Sequence, residues 1–318
     1  MSTEGGNKAI VAALGANLGI AVAKFVAFFI TGSSSMLSEG IHSVADSGNQ
    51  VLLLIGGKRA KKGASGKHQF GYSRIRYVYA FVVAIVLFLV GGVFSLYEGI
   101  HKLEHKEELH DLPVAIAVLI IAILLEGYSF RTAMKESKKA RGDRSLPAYV
   151  RRVRQPELPV VLLEDSGALV GLLFALIGVG MAAITGDSRW DAMGAIAVGS
   201  LLVVIAVFLV LEMTSMLVGE SALPEEQRAI EQALAASPLV ESVIYLKTLH
   251  TGPDELLVAA KIGVAETDTG AQIAAGIDEA EAAIRRAVPT AVHIFIEPDI
   301  YRSDAPADGP GVVPGAAE

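Results

Sequence analysis

KRAKKGASGKHQFGYSRIR (58–76), YVYAFVVAIVLFLVGGVFSLYEGI (77–100) and HKLEHKEELHD (101–111) follow one another without a break, and their order decides the fold. The first block carries seven Lys or Arg and no acid, the second is almost unbroken apolar sequence, and the third sets two Lys against four acids. About 20 apolar residues in a helix cross a hydrocarbon layer of about 30 Å. Basic flanks stay on the cytoplasmic side. Residues 77–100 therefore read as a spanning helix with its start at the cytoplasmic face.

Five more windows complete the pattern: 9–30, 35–57, 112–132, 158–184 and 191–217. The second of these is interrupted by Glu39, His42 and Asp46, and the fifth span of the chain, 158–184, by Glu164 and Asp165. Glu98 and Glu126 stand near the ends of their windows, where carboxylates can reach the interface. The connection at 133–156 holds eight Lys or Arg, whereas 31–34 and 185–190 hold little basic charge. Basic and non-basic loops alternate in the order that six spans require, with both termini cytoplasmic. The run RRVR (151–154) reads as topogenic charge beside a helix and not as a nucleic-acid surface.

Composition agrees. Hydrophobic residues make up 52% of the 318 and charged residues 19%, against about 25% charged in soluble domains. This excludes a single water-soluble domain and a disordered chain. The absence of cysteine excludes disulfides, a thiolate metal site and a cysteine nucleophile. The net charge of −7 hides a division: residues 219–318 hold 6 basic and 17 acidic side chains. That acidic part, 219–300, reads α-β-β-α-β, with helices at 223–237 and 270–287 and strands at 240–252, 255–264 and 291–299. This is a small sheet covered on one face by helices. Residues 301–318, rich in Pro, Gly and Ala, are expected to be disordered. The N-terminus MSTEGGNK lacks the pattern of a cleaved leader, which makes a bacterial inner membrane the expected location.

An ionisable residue within a span costs about 2.5–3.5 kcal/mol on insertion scales, and so marks a functional candidate. SEGIHSVADSGNQ (38–50) is the densest such segment. His42 and Asp46, four apart, share a helical face, and Glu39 and Asn49 extend the stripe. An imidazole and a carboxylate one turn apart can hold a divalent cation such as Zn²⁺, and histidine can exchange metal for a proton near neutral pH. The competing reading is a hydrogen-bonded stripe that packs the bundle. Glu164 and Asp165 point about 100° apart on their helix; spacing alone does not say which faces the centre. No nucleophile–base pair or phosphate-binding loop is present, which excludes an ATP-driven pump. An intramembrane zinc hydrolase lacks the HExxH spacing and a separate base.

GSSSMLSEGIHSVADSGNQ (32–50), HQFGYSRIRY (68–77), LLEDSGAL (162–169) and the α-β-β-α-β tail together resemble the cation diffusion facilitator family. The LLED form of the fifth span is similar to the branch containing mitochondrial-type zinc transporter nine and its bacterial relatives. The resemblance implies a six-helix membrane bundle (1–218) followed by a cytoplasmic ferredoxin-like dimerisation domain (219–300). It also implies a homodimer in the lipid bilayer that exports a divalent ion, Zn²⁺ foremost with Mn²⁺, Fe²⁺, Co²⁺ or Cd²⁺ as further cargo, against protons.

By position, the resemblance assigns His42, Asp46 and Asp165 to the metal. Four residues before Asp165 the family has His or Asp; this chain has Val161. Glu164, Glu39, Asn49 or water must then complete the site. A non-transporting scaffold or metal sensor is the alternative that this departure favours. Ile244, Ala260, Phe295 and Glu297 stand where regulatory zinc ligands occur in other members, and His250 and His293 are expected as surface or dimer-edge residues. His68 has Tyr72 where a metal-binding partner would be. Arg74 and Glu220 fall at the membrane–cytosol junction, where they could couple the two domains.

Overall fold

The structure is a computed structural model that describes residues 3–31, 34–105, 112–141, 145 and 154–300. The tail 301–318 and most of RRVR (151–154) lie outside the described residues. The chain divides into two compact units, 1–217 and 218–318.

The first unit is helical. Its elements are α1 (Thr3–Thr31), α2 (Ser34–Ala60), α3 (Ile75–Glu104), α4 (Leu112–Arg141), α5 (Glu157–Thr185) and α6 (Arg189–Val218). The middle of α3, Leu87–Val93, is π-helical. Among the described residues, five stretches are long and apolar enough to cross a membrane: Asn7–Val26, Ile75–Glu104, Pro113–Lys139, Glu157–Thr185 and Arg189–Val218. Helix α2 is as long as a span, but its Ser, Asn, Gln and ionisable residues keep it out of that set. It packs against α1 and α3. Helix α1 also packs on α4 and α5, and α4 on α5.

The apolar core of this unit joins Ile10, Leu53, Tyr77, Val83, Val160, Val161, Leu209 and Met213. Glycine brings α6 close to its neighbours. A Cβ on Gly199 would stand 2.7 Å from the backbone nitrogen of Leu96 in α3, and one on Gly178 in α5 would stand 2.8 Å from the carbonyl oxygen of Trp190. At the starts of α3 and α5, the buried Arg76 guanidinium pairs with Glu157 through Nε, and through Nη2 at 2.7 Å. Tyr77 donates its hydroxyl to the Arg154 carbonyl oxygen at 3.0 Å.

The second unit runs α7 (Pro224–Ala235), β1 (Ser242–Gly252), β2 (Glu255–Gly263), α8 (Gly270–Ala287) and β3 (Ala291–Asp299). The sheet order is β1-β2-β3. The β1–β2 pair is an antiparallel hairpin, whereas β3 returns parallel to β2 after α8, as a crossover helix requires. Alternation on β2 buries Leu256, Val258, Ala260 and Ile262 against Ile230 and Leu234 of α7 and Ala280 and Ile284 of α8. Thr269 caps α8, accepting from the Gln272 amide at 3.4 Å while the Gln272 side chain accepts from the Thr269 amide at 2.9 Å. His250, expected at the surface, is 3% exposed: the last residues of β1 are covered, and its N–H donates to the Glu220 carbonyl oxygen at 2.8 Å.

Candidate cation site

The polar residues of α2 converge on three neighbouring helices. Asn17 and Lys24 lie seven residues apart on α1, so they share a face and stand about 10 Å apart along the axis. Their partners on α2, Gln50 and Ser43, are also seven apart and run the other way. Asn17 Nδ2 donates to Gln50 Oε1 at 3.3 Å, and Lys24 Nζ to Ser43 Oγ at 3.0 Å. These two rungs set the register of α1 against α2. Ser47 Oγ donates to the Ser43 carbonyl oxygen at 2.9 Å.

The same face of α2 holds Glu164 of α5. Asn49 Nδ2 donates to Glu164 Oε1 at 3.1 Å, and Gln50 Nε2 donates to Oε2 at 2.8 Å. Both oxygens of this buried carboxylate are thus gripped by adjacent amides. Asp165, 1% exposed, turns instead toward α4, where Ser129 Oγ donates to its Oδ2 at 2.6 Å. The pair that the sequence left undivided is divided by its partners: Glu164 ties α5 to α2, and Asp165 ties it to α4.

Asp46 is half-buried on α2. Its carboxylate, with those of Glu126, Glu164 and Asp165, forms one mutually interacting cluster, and Lys24 is the cation that acts on Glu126. Glu126 corrects the expectation of a carboxylate near a helix end. Helix α4 continues through the basic residues to Arg141, which leaves Glu126 at mid-helix and 5% exposed. Glu98 does lie near a helix end and stands 3.7 Å from Lys102.

His42 lies on α2 one turn before Asp46, and Glu39 one turn earlier still; their side chains are outside the described residues. Val161 is fully buried in the apolar core and offers no ligand. Among the described residues, no three His, Asp or Glu side chains stand together in metal-holding geometry. Asn49 Oδ1 is buried without a hydrogen-bond partner. An unmet buried acceptor costs about 1–3 kcal/mol, so this oxygen is ready to meet a cation or a proton donor. His68 lies in the exposed loop with its ring 4.5 Å from that of Tyr72. Arg74 precedes α3 in the first unit, and Glu220 belongs to the second.

Sequence reasoning missed Lys24, Ser129 and Gln50, and placed Glu126 near a helix end. A lysine and a glutamate inside otherwise apolar windows were the available signal. Which helices face each other was not.

Residues 10–218 match the cation efflux transmembrane domain. The proton-coupled zinc antiporter SLC30A9, mitochondrial, of Mus musculus is 33% identical over 242 residues, covering 75% of this chain and 42% of that protein. Metal tolerance protein C4 of Arabidopsis thaliana is 28% identical over 257 residues, covering 80% of this chain and 56% of the relative. Magnetosome protein MamB of Magnetospira sp. is 25% identical over 257 residues, covering 79% and 83%. The chain spans less than half the length of the mouse relative. With two thirds of its length matched to that domain, on the helices that carry the carboxylate cluster, the chain belongs to the cation efflux family.

Proposed function

We propose that the chain exports a divalent cation, Zn²⁺ foremost, across a membrane by antiport with protons. The observation that carries this reading is the cluster of the buried Glu126, Glu164 and Asp165 with the half-buried Asp46, which lies one turn from His42, on helices α2, α4 and α5. Carboxylates are placed at such depth where they meet a cation or a proton. The names of the mouse and plant relatives, a zinc antiporter and a metal tolerance protein, support the choice of cargo.

In this reading His42, Asp46 and Asp165 hold the ion. Asn49 Oδ1 stands in for the ligand that Val161 does not supply, and Glu164 holds α2 in register while Glu39 lies one turn farther along. Mn²⁺, Fe²⁺, Co²⁺ and Cd²⁺ suit the same nitrogen and oxygen donors. An external proton competes for His42 and displaces the ion as the bundle rocks between its two open states. Helix α2 is the sixth span, partnered by polar residues on its neighbours, and the basic loops keep both termini cytoplasmic, in a bacterial inner membrane. The second unit acts as a ferredoxin-like dimerisation domain of a homodimer.

The second reading, a non-transporting scaffold or metal sensor, is favoured by the burial of Val161 in the apolar core. Proteoliposomes with an imposed pH gradient separate the two. The wild type is expected to take up Zn²⁺ and the Asp46→Ala variant to fail. Uptake that ignores the gradient and the substitution alike would sink the antiport proposal.

A further inference from the structure

The end of α3 remote from the 58–76 basic loop carries a feature that the carboxylate cluster does not use. His101 and His105 are one turn apart, so they share a helical face. Their rings stack with centroids 4.6 Å apart and planes 19° apart. His101 is half-buried and His105 is exposed. Paired histidines at this spacing are a recurrent helical metal chelate. Imidazole nitrogens bind a borderline transition ion at about 2.0–2.1 Å, which asks the two facing nitrogens to stand about 3 Å apart.

Two further features favour a cation here. His105 ends the helix in an extended conformation, and its N–H bonds back to the His101 carbonyl oxygen at 2.9 Å. The pair thus sits at the negative end of the helix dipole. The adjacent ammonium that would repel a metal ion, Lys102, is held by Glu98 at 3.7 Å and by Asp191 of α6 at 3.5 Å, and Glu104 is exposed beside the pair. Among these described residues, acidic groups therefore outnumber the one ammonium. None of the clustered carboxylates lies on α3, so the pair is a separate site.

We propose that His101 and His105 bind a divalent transition cation, Zn²⁺, Cu²⁺ or Ni²⁺, as a two-nitrogen chelate completed by water. In the antiport reading, on which this assignment of side rests, the pair stands on the face from which cargo leaves. Two protein ligands make a weak, exchangeable site and not a structural one.

The test uses the full chain in detergent, stripped of metal, with Asp46→Ala as the background so that the carboxylate cluster contributes least. Zn²⁺ binding is measured by calorimetry, and Cu²⁺ is the spin probe. The expected result is a Cu²⁺ spectrum with splitting from two nitrogens. His101→Ala and His105→Ala each weaken Zn²⁺ binding by about tenfold, and His68→Ala changes nothing. Spectrum and affinity unchanged in the His101→Ala/His105→Ala double variant would overturn the proposal, as would equal loss in His68→Ala. Both side chains reach solvent, so the variants should fold, and monodispersity in detergent checks that they do. Because the background variant is not asked to transport, failure of the antiport reading would leave this result legible.

Discussion

Breaking the Arg76–Glu157 pair should destabilise the helical unit by more than removing it altogether. The two side chains are 9% and 8% exposed and meet through two hydrogen bonds, Nε to Oε1 and Nη2 to Oε2. Glu157→Met leaves a guanidinium in a site that water barely reaches, and the loss of one partner of a buried pair costs about 3–5 kcal/mol. Arg76→Met strands the carboxylate at similar cost while keeping the apolar stem. The double variant strands neither charge, and uncharged replacements of similar volume are often neutral or stabilising. The cycle therefore predicts two singles at about 3–5 kcal/mol each and a double near the wild type, a coupling of about 6–10 kcal/mol. Reversible unfolding of the full chain in mixed micelles by a denaturing detergent gives the four free energies. A double variant as unstable as the sum of the singles, with coupling below about 0.5 kcal/mol, would refute the argument. It would mean that each side chain is held by other neighbours and that the pair is incidental.

Gly178→Ala should cost about 1–3 kcal/mol in the same unfolding assay, because the new methyl would meet the Trp190 carbonyl oxygen at 2.8 Å, while Gly180→Ala, with open space around it, should cost nothing. Ser129→Ala removes the 2.6 Å hydrogen bond that orients Asp165. A hydrogen bond to a charged group contributes about 1.5–3 kcal/mol, so the KM for Zn²⁺ in proteoliposomes should rise by about ten- to hundredfold, and an unchanged KM would remove Ser129 from the site. In the second unit, hydrogen bonds to Asp299 first and Glu297 second raise the Lys261 ammonium above its usual 10.5. A raised lysine stabilises the fold below the unfolded value and loses that contribution as pH climbs through the folded one. The stability difference between wild type and Asp299→Asn should therefore hold steady from neutral pH to pH 10.5 and shrink above it.

The parts of this fold that could be read in the sequence are those whose signal is local. Apolar runs such as 77–100 and 191–217 identify spans without any knowledge of neighbours. Alternation at 255–264 identifies a strand, and its buried set, Leu256, Val258, Ala260 and Ile262, is the alternating set. The His42–Asp46 spacing and the valine at 161 were equally plain. What could not be read depends on which helices touch. Asn17 and Lys24 acquire meaning only once α1 runs antiparallel to α2, so that they meet Gln50 and Ser43. The helical angle separates Glu164 from Asp165, but only the presence of α2 on one side and α4 on the other gives each its partner. Glu126 was misplaced for a different reason. Hydropathy ends the window at 132, whereas backbone hydrogen bonding carries the helix on through its basic end to Arg141, moving the glutamate from the rim to the middle.

That displacement changes the electrostatics of the site. With Glu126 included, the cluster holds four carboxylates, Asp46, Glu126, Glu164 and Asp165, and the ammonium of Lys24. Fully ionised, it would carry three uncompensated negative charges in a medium where each costs several kcal/mol to bury. Lys24, hydrogen-bonded to Ser43, cannot leave, so mobile cations must supply the rest. A divalent ion alone leaves one negative charge, and protons alone can neutralise the cluster as well as metal with a proton can. Replacing one divalent ion by two protons keeps the total constant. In the antiport reading, the bundle can then change its open side in either loaded state without moving net charge through the low-dielectric interior. A cluster of this composition penalises the empty, unprotonated state most heavily, and in that reading the penalty would couple the outward step of metal to the inward step of protons. The lysine sets the size of that penalty. Removing its charge deepens the deficit by one, and the compensation then calls for one more proton in every loaded state.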